Sequence, residues 1–104
     1  MRYTGLRITI VSIMPRKFPL PLPAQKAMRK LGQEIRDARL RRRITTEILA
    51  ERAGISRITL AKVEKGDENV LMSSYASVLF SLGMIDRLQD IADASHGGTE
   101  QTSG

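Results

Sequence analysis

Residues 39–66, RLRRRITTEILAERAGISRITLAKVEKG, hold two short helix-forming stretches parted by a single glycine. The first ends in Leu49-Ala50-Glu51-Arg52-Ala53 and meets Gly54. The second restarts at once from Ser56, runs from Arg57 to Lys65 and stops at Gly66. Two short helices joined by a tight glycine turn make a helix-turn-helix unit, whose second helix can enter the major groove of DNA.

The residues around each break have the chemistry that such a unit needs. Thr45 is a good N-cap for a helix over 46–53, with Leu49 and Ala53 four apart on its inner face. Gly54 suits the left-handed backbone at a helix end, and Ile55 can plug the core beneath the turn. Ser56 is a good N-cap for the next helix, which Gly66 ends. Helical spacing turns Leu60 and Val63 inward and puts Arg57, Ile58, Ala61, Lys62 and Lys65 on the opposite side.

That outward face is chemically suited to base edges. An arginine in the first turn, Arg57, can give guanine O6 and N7 two parallel hydrogen bonds, worth roughly 1–3 kcal/mol in discrimination. Lys62, one turn on, makes a less directional contact of the same kind, and Ile58 offers an apolar surface to a thymine methyl. Thr46, Ser56 and Thr59 stand at helix beginnings, where hydroxyls and free backbone N–H groups bind phosphate. For Thr45 and Ser56 capping alone is the simpler role, and capping and phosphate binding are compatible. Lys65 and Arg43, the last of the run Arg41-Arg42-Arg43, complete the expected phosphate contacts. A run of arginines is otherwise an ordinary solvated helix end.

Outward from the unit, the periodicity predicts an all-α bundle of five helices. A first helix over 24–42 carries Met28, Leu31, Ile35 and Ala38 on one face. After a loop over 67–72, a fourth helix is expected at 73–82 with Tyr75, Val78, Leu79 and Leu82 inward. A fifth is expected at 85–94 with Ile85, Leu88 and Ile91. The helix-turn-helix domain is therefore 24–94. Residues 1–23 form an amino-terminal arm whose end, Phe18-Pro19-Leu20-Pro21-Leu22-Pro23, reads as an extended proline-spaced linker. Residues 95–104 are a Gly/Ser/Thr-rich tail expected to be disordered. Within the arm, Leu6, Ile8 and Ile10 alternate with Arg7, Thr9 and Val11 in the manner of a β-strand. Three readings fit this run: a strand paired with its symmetry mate in a dimer, a disordered arm, or an upstream stretch before a translation start at Met14.

Composition limits the alternatives. The chain has 104 residues, no cysteine and one histidine, His96, in the polar tail. Disulfides and thiolate metal sites are thereby excluded, and His96 is expected to be a solvated tail residue. No nucleophile–base set or glycine-rich phosphate loop occurs, so neither an enzyme nor a cofactor is expected. Asp86, Asp90 and Asp93 recur at helical spacing, a pattern that most often marks a solvated face. The net charge of +6 is unevenly spread. Residues 24–66 hold 12 Lys/Arg against 5 Asp/Glu, whereas residues 67–104 hold 1 against 6. Residues 1–23 add four positive charges. A basic block over the reading unit suits a polyanion. The apolar run before Met14 is too short to span a bilayer and lacks a small-residue cleavage site, so a cytoplasmic protein with no membrane contact is expected.

The stretch 31–88 resembles the phage-repressor (Cro-like) helix-turn-helix family. The carrying residues are Arg39, Leu49-Ala50, Gly54-Ile55-Ser56, Thr59-Leu60, Glu64-Lys65-Gly66 and Leu82-Gly83. The resemblance implies a compact five-helix bundle, and the helix-turn-helix binding mode predicts a homodimeric transcriptional repressor on a pseudo-palindromic double-stranded operator. The resemblance also implies a brace between Arg39 and Glu64. Thr46 stands where the family commonly has a phosphate-binding glutamine, and Arg43 is positioned to replace that contact. Within the family the chain is most similar to HipB-like antitoxins, through Leu31-Gly32, Arg36, the run 38–43 and the stretch 75–83. This implies autoregulation of an operon and a kinase-like toxin as partner. The alternatives are a phage-type lysogeny repressor without a toxin, or an antitoxin acting mainly through protein contact. HipB-like proteins carry a carboxy-terminal strand that pairs across the dimer; here only the amino-terminal run could supply one.

Overall fold

The computed structural model describes residues 19–94. All regular structure among these residues is helical: α1 (Leu22–Arg41), α2 (Thr46–Ala53), α3 (Arg57–Glu64), α4 (Met72–Ser81) and α5 (Ile85–Gln89). The expected amino-terminal strand and the polar tail lie outside the described residues.

The core forms where the inward faces of four helices meet. Ile35, Leu49, Leu60, Val63 and Val78 are fully buried, and Ala38, Ala50, Tyr75, Leu79, Leu82 and Met84 complete the cluster. Burying one such aliphatic side chain is worth roughly 1.5–3 kcal/mol, so these few residues supply most of the drive to fold. α2 packs on α4, α1 on α3, and α2 and α3 on each other, while α5 closes against α4.

Four helices end in the same way. After α2, Gly54 takes φ 71°, with Ile55 N–H donating to the Ala50 carbonyl and Gly54 N–H to that of Glu51. Gly66 (φ 73°) and Gly83 (φ 76°) do the same after α3 and α4, with Asp67 N–H bonded to the Lys62 carbonyl and Met84 N–H to that of Leu79. This two-bond closure satisfies carbonyls that a helix end would otherwise leave open. α1 closes likewise, through Ile44 N–H to the Arg39 carbonyl at 3.4 Å, but with Arg43 at the left-handed position (φ 54°).

Gly66 has a second role, together with Gly32. α1 crosses the end of α3 so closely that a Cβ on Gly32 would lie 2.5 Å from Gly66 N and 2.7 Å from the Val63 carbonyl oxygen. A Cβ on Gly66 would in turn collide with the Met28 carbonyl. Only two glycines permit this backbone-on-backbone approach.

Three expectations are corrected. α1 begins at Leu22, so Leu22 and Pro23 belong to its first turn and not to the linker; proline is tolerated there because that turn's N–H groups have no intrahelical acceptor. α4 starts at Met72, one residue before the expected helix, which shortens the loop. α5 ends at Gln89, not at 94. Ile85 and Leu88 are half-buried and pack on the core, but Ile91 is 73% exposed, so the third member of the expected stripe lies outside it. Asp90 and Asp93 would also oppose the negative end of a longer helix.

Candidate nucleic-acid interface

α2, the turn 54–56 and α3 form a helix-turn-helix, and its two N-termini are built alike. Thr45 adopts extended backbone and its Oγ1 accepts from Ile48 N–H at 3.1 Å; Ser56 does the same for Thr59 N–H at 3.0 Å. Leu49 N–H and Leu60 N–H close the first helical bonds onto the carbonyls of Thr45 and Ser56. Helix geometry then leaves the amides of Thr46 and Glu47, and of Arg57 and Ile58, without intrahelical acceptors. Each helix thus presents a pair of N–H donors at its positive end, the arrangement that holds anions.

The capping bonds also join two hydroxyls. Ser56 Oγ donates to Thr59 Oγ1 at 3.0 Å while accepting from the Thr59 amide. Ser56 thus serves as the cap of α3, with the Thr59 hydroxyl beside it. Thr46 is half-buried at the first position of α2, beside the N-cap Thr45.

α3 is divided into two faces. Leu60 and Val63 are fully buried, whereas Arg57, Ala61, Lys62 and Lys65 are exposed. Ile58 is 71% exposed, an apolar side chain standing among three cations. Arg43 is exposed on the turn before α2. Arg42 folds back, donating from Nη1 to the Ala38 carbonyl at 2.8 Å, and so caps its own helix. Of the last two residues in the arginine run, Arg43 is thus the one that the helix end does not hold back.

The far end of α3 is clamped to α1. Arg39 Nε and Nη2 donate to Glu64 Oε2 and Oε1 at 2.7 and 3.1 Å, and Nη1 donates to the Ile44 carbonyl at 3.1 Å. Both side chains are more than nine-tenths buried. A two-pronged pair fixes direction as well as distance, so this one sets how α3 projects relative to α1. Buried pairs add little net stability, but removal of one partner strands a charge. Below the clamp, Tyr75 Oη donates to the Asp67 carbonyl at 2.7 Å and ties down the loop leaving α3. Burial, and then the nearby Asp67 charge, push the Tyr75 phenol up to about 12.

The residues singled out for base contact (Arg57, Ile58, Lys62) and for phosphate contact at Thr46, Ser56 and Thr59 lie on or at the start of α2 and α3, with Lys65 just past the end of α3 and Arg43 on the turn leading into α2. Arg39 and Glu64 meet behind them. Sequence reasoning named Gly32 only among the residues of the resemblance and missed that it sets the depth at which α1 sits on α3; it also missed the left-handed backbone of Arg43. No group of three or more acidic or histidine side chains among the described residues is arranged to hold a metal ion. No helix among them is long and apolar enough to cross a membrane. Comparison of the chain with family models, with curated proteins and with solved structures gives no match.

Proposed function

We propose that the chain is a sequence-specific DNA-binding transcriptional repressor acting in the cytoplasm as a homodimer on a pseudo-palindromic operator, without enzymatic activity. One observation carries the reading: α3 buries Leu60 and Val63 completely while exposing Arg57, Ile58, Lys62 and Lys65 on its other side. Solvation alone accounts for exposed cations. An isoleucine left 71% exposed between them, on a helix braced at its far end by a buried ion pair, adds an apolar contact to the same face. A surface that mixes bidentate donors with an apolar contact is suited to base edges in the major groove.

In this reading the α2 and α3 amide pairs, the Thr59 hydroxyl, Arg43 and Lys65 bind phosphate and set register. Arg57, Ile58 and Lys62 then discriminate bases. Half-sites lie about one DNA turn, or a multiple of it, apart. The test is binding of the purified protein to the DNA upstream of its own gene against random duplex, at several salt concentrations. Arg57→Ala is expected to relax base preference at one position of each half-site. Equal affinity for the two duplexes at moderate salt would sink the proposal. The HipB-like resemblance extends the reading to an antitoxin of a kinase-like toxin, which predicts co-purification with the product of a neighbouring gene.

A further inference from the structure

α3 sets its outward residues in a definite order around its axis. At about 100° per residue, counted from Arg57, the fully buried Leu60 and Val63 lie at about 300° and about 240°, so the line facing directly away from the core is at about 90°. Ile58, at about 100°, stands on that line. Lys62 lies about 50° to one side of it and Ala61 about 50° to the other, with Arg57 further round beyond Ala61. All four are exposed, Ile58 by 71%. Single apolar side chains are exposed elsewhere on this surface, and exposure alone marks none of them. Ile58 differs in its position: it is the outermost residue of the helix, flanked by a cation on each side.

Three features make this residue a rigid apolar tip. Its β-branched side chain holds essentially one χ1 rotamer in a helix, so its methyl groups arrive in place with little freedom to lose. Ala61 adds no bulk beside it. The Arg39–Glu64 clamp fixes the direction in which the whole helix projects. A helix laid in the major groove turns its outermost line to the groove floor and its flanks to the two strands. Of the features that base edges show there, the thymine C5-methyl is the apolar one, whereas guanine O6 and N7 are the acceptors that arginine and lysine suit. Arg57 and Lys62 are about 7.5 Å apart along the axis, roughly two base steps of the duplex.

We infer that each operator half-site holds a central thymine recognised through its C5-methyl by Ile58, with guanines on opposite strands, within about two base steps, met by Arg57 and Lys62. This rests on the repressor reading of α3 and adds the chemistry of the site: the central A·T pair is chosen by a methyl group and not by a hydrogen bond. Deoxyuridine pairs as thymine does and lacks only that methyl, so it isolates the contact. The full chain selects its preferred duplex from a randomised pool, and that duplex is remade with deoxyuridine for each thymine in turn, in one half-site and in both. By fluorescence anisotropy, replacement of the central thymine should weaken binding about fourfold in one half-site and about fifteenfold in both, the loss of about one buried methyl each. In Ile58→Ala, a change at an exposed position, both ratios should fall close to one, with a circular dichroism spectrum like the parent's reporting that the fold stands. A selected site in which no thymine methyl matters, or an Ile58→Ala chain that keeps the parent's ratios, would overturn the inference and leave the repressor reading intact. Failure to enrich any sequence would overturn both.

Discussion

Replacing Arg43 by glycine should make the protein more stable and a weaker DNA binder at the same time. Arg43 holds φ 54°, a left-handed backbone that costs an ordinary L-residue roughly 1–2 kcal/mol. Glycine removes that cost but has more backbone freedom to lose on folding, about 0.5–1 kcal/mol. The helix-closing bonds from Arg43 N–H to Leu40 and from Ile44 N–H to Arg39 involve only backbone and survive the change. The Arg39 side chain still holds the Ile44 carbonyl from the other side. The net gain is about 0.5–1 kcal/mol, or a rise in Tm of roughly 2–8 °C for a domain of this size. In a symmetric dimer two phosphate contacts disappear, so the slope of log affinity against log salt should fall by about 1.8, at about 0.9 per contact. Arg43→Ala separates the causes: it keeps the left-handed strain and loses the charge, so it should bind like the glycine variant and melt near the parent. Thermal melting and salt-titrated fluorescence anisotropy read the two effects. A glycine variant melting at or below the parent refutes the strain argument, and an unchanged salt slope refutes the phosphate contact.

Gly32→Ala should destabilise by about 3 kcal/mol or more, above the ordinary range for overpacking, because the new methyl meets only backbone atoms of the α3 end; urea unfolding measures this. Glu64→Ala should cost roughly 3–5 kcal/mol by stranding the Arg39 guanidinium, and the double change Arg39→Met with Glu64→Leu should recover most of it. Equal unfolding midpoints for the single and double variants would contradict that account. The raised Tyr75 phenol means that the folded form keeps its proton where the unfolded form has lost it. Its contribution is therefore whole below pH 10 and is lost as pH rises toward about 12. Alkaline unfolding of the parent and Tyr75→Phe, compared over that interval, should show the parent losing the larger share of its stability.

What could be read from residues alone was what depends on near neighbours. Thr45, Gly54 and Ser56, and Gly66 in its role as a helix end, act within a few positions of themselves, and each has a chemistry suited to one place on a helix; those roles and the bounds of α2 follow directly. The burial of Leu60 and Val63 followed from spacing in the same way. Gly32 could not be read, because its reason for being glycine is Gly66, remote in sequence and brought close only by the crossing of α1 over α3. Nothing in a run of three arginines marks which one will turn left-handed. The end of α5 is not legible in the sequence, because a periodic stripe says which face is apolar and not whether a core surface exists for it to cover. At the candidate interface, spacing and cap chemistry suffice to name the outward residues of α3. The pairing of the Ser56 and Thr59 hydroxyls required the three-dimensional geometry.

The clamp of α3 by Arg39, Gly32 and the buried pair Leu60 and Val63 has a consequence for how this surface can change. All of its structural support reaches α3 from behind, and the exposed positions 57, 58, 61, 62 and 65 carry none of it. Substitutions there that respect helix propensity should shift stability by no more than about 0.5 kcal/mol each. The outward face is thus a writable one: a library randomised at these five positions would consist mostly of folded members, differing in the chemistry they present and hardly at all in how firmly they stand.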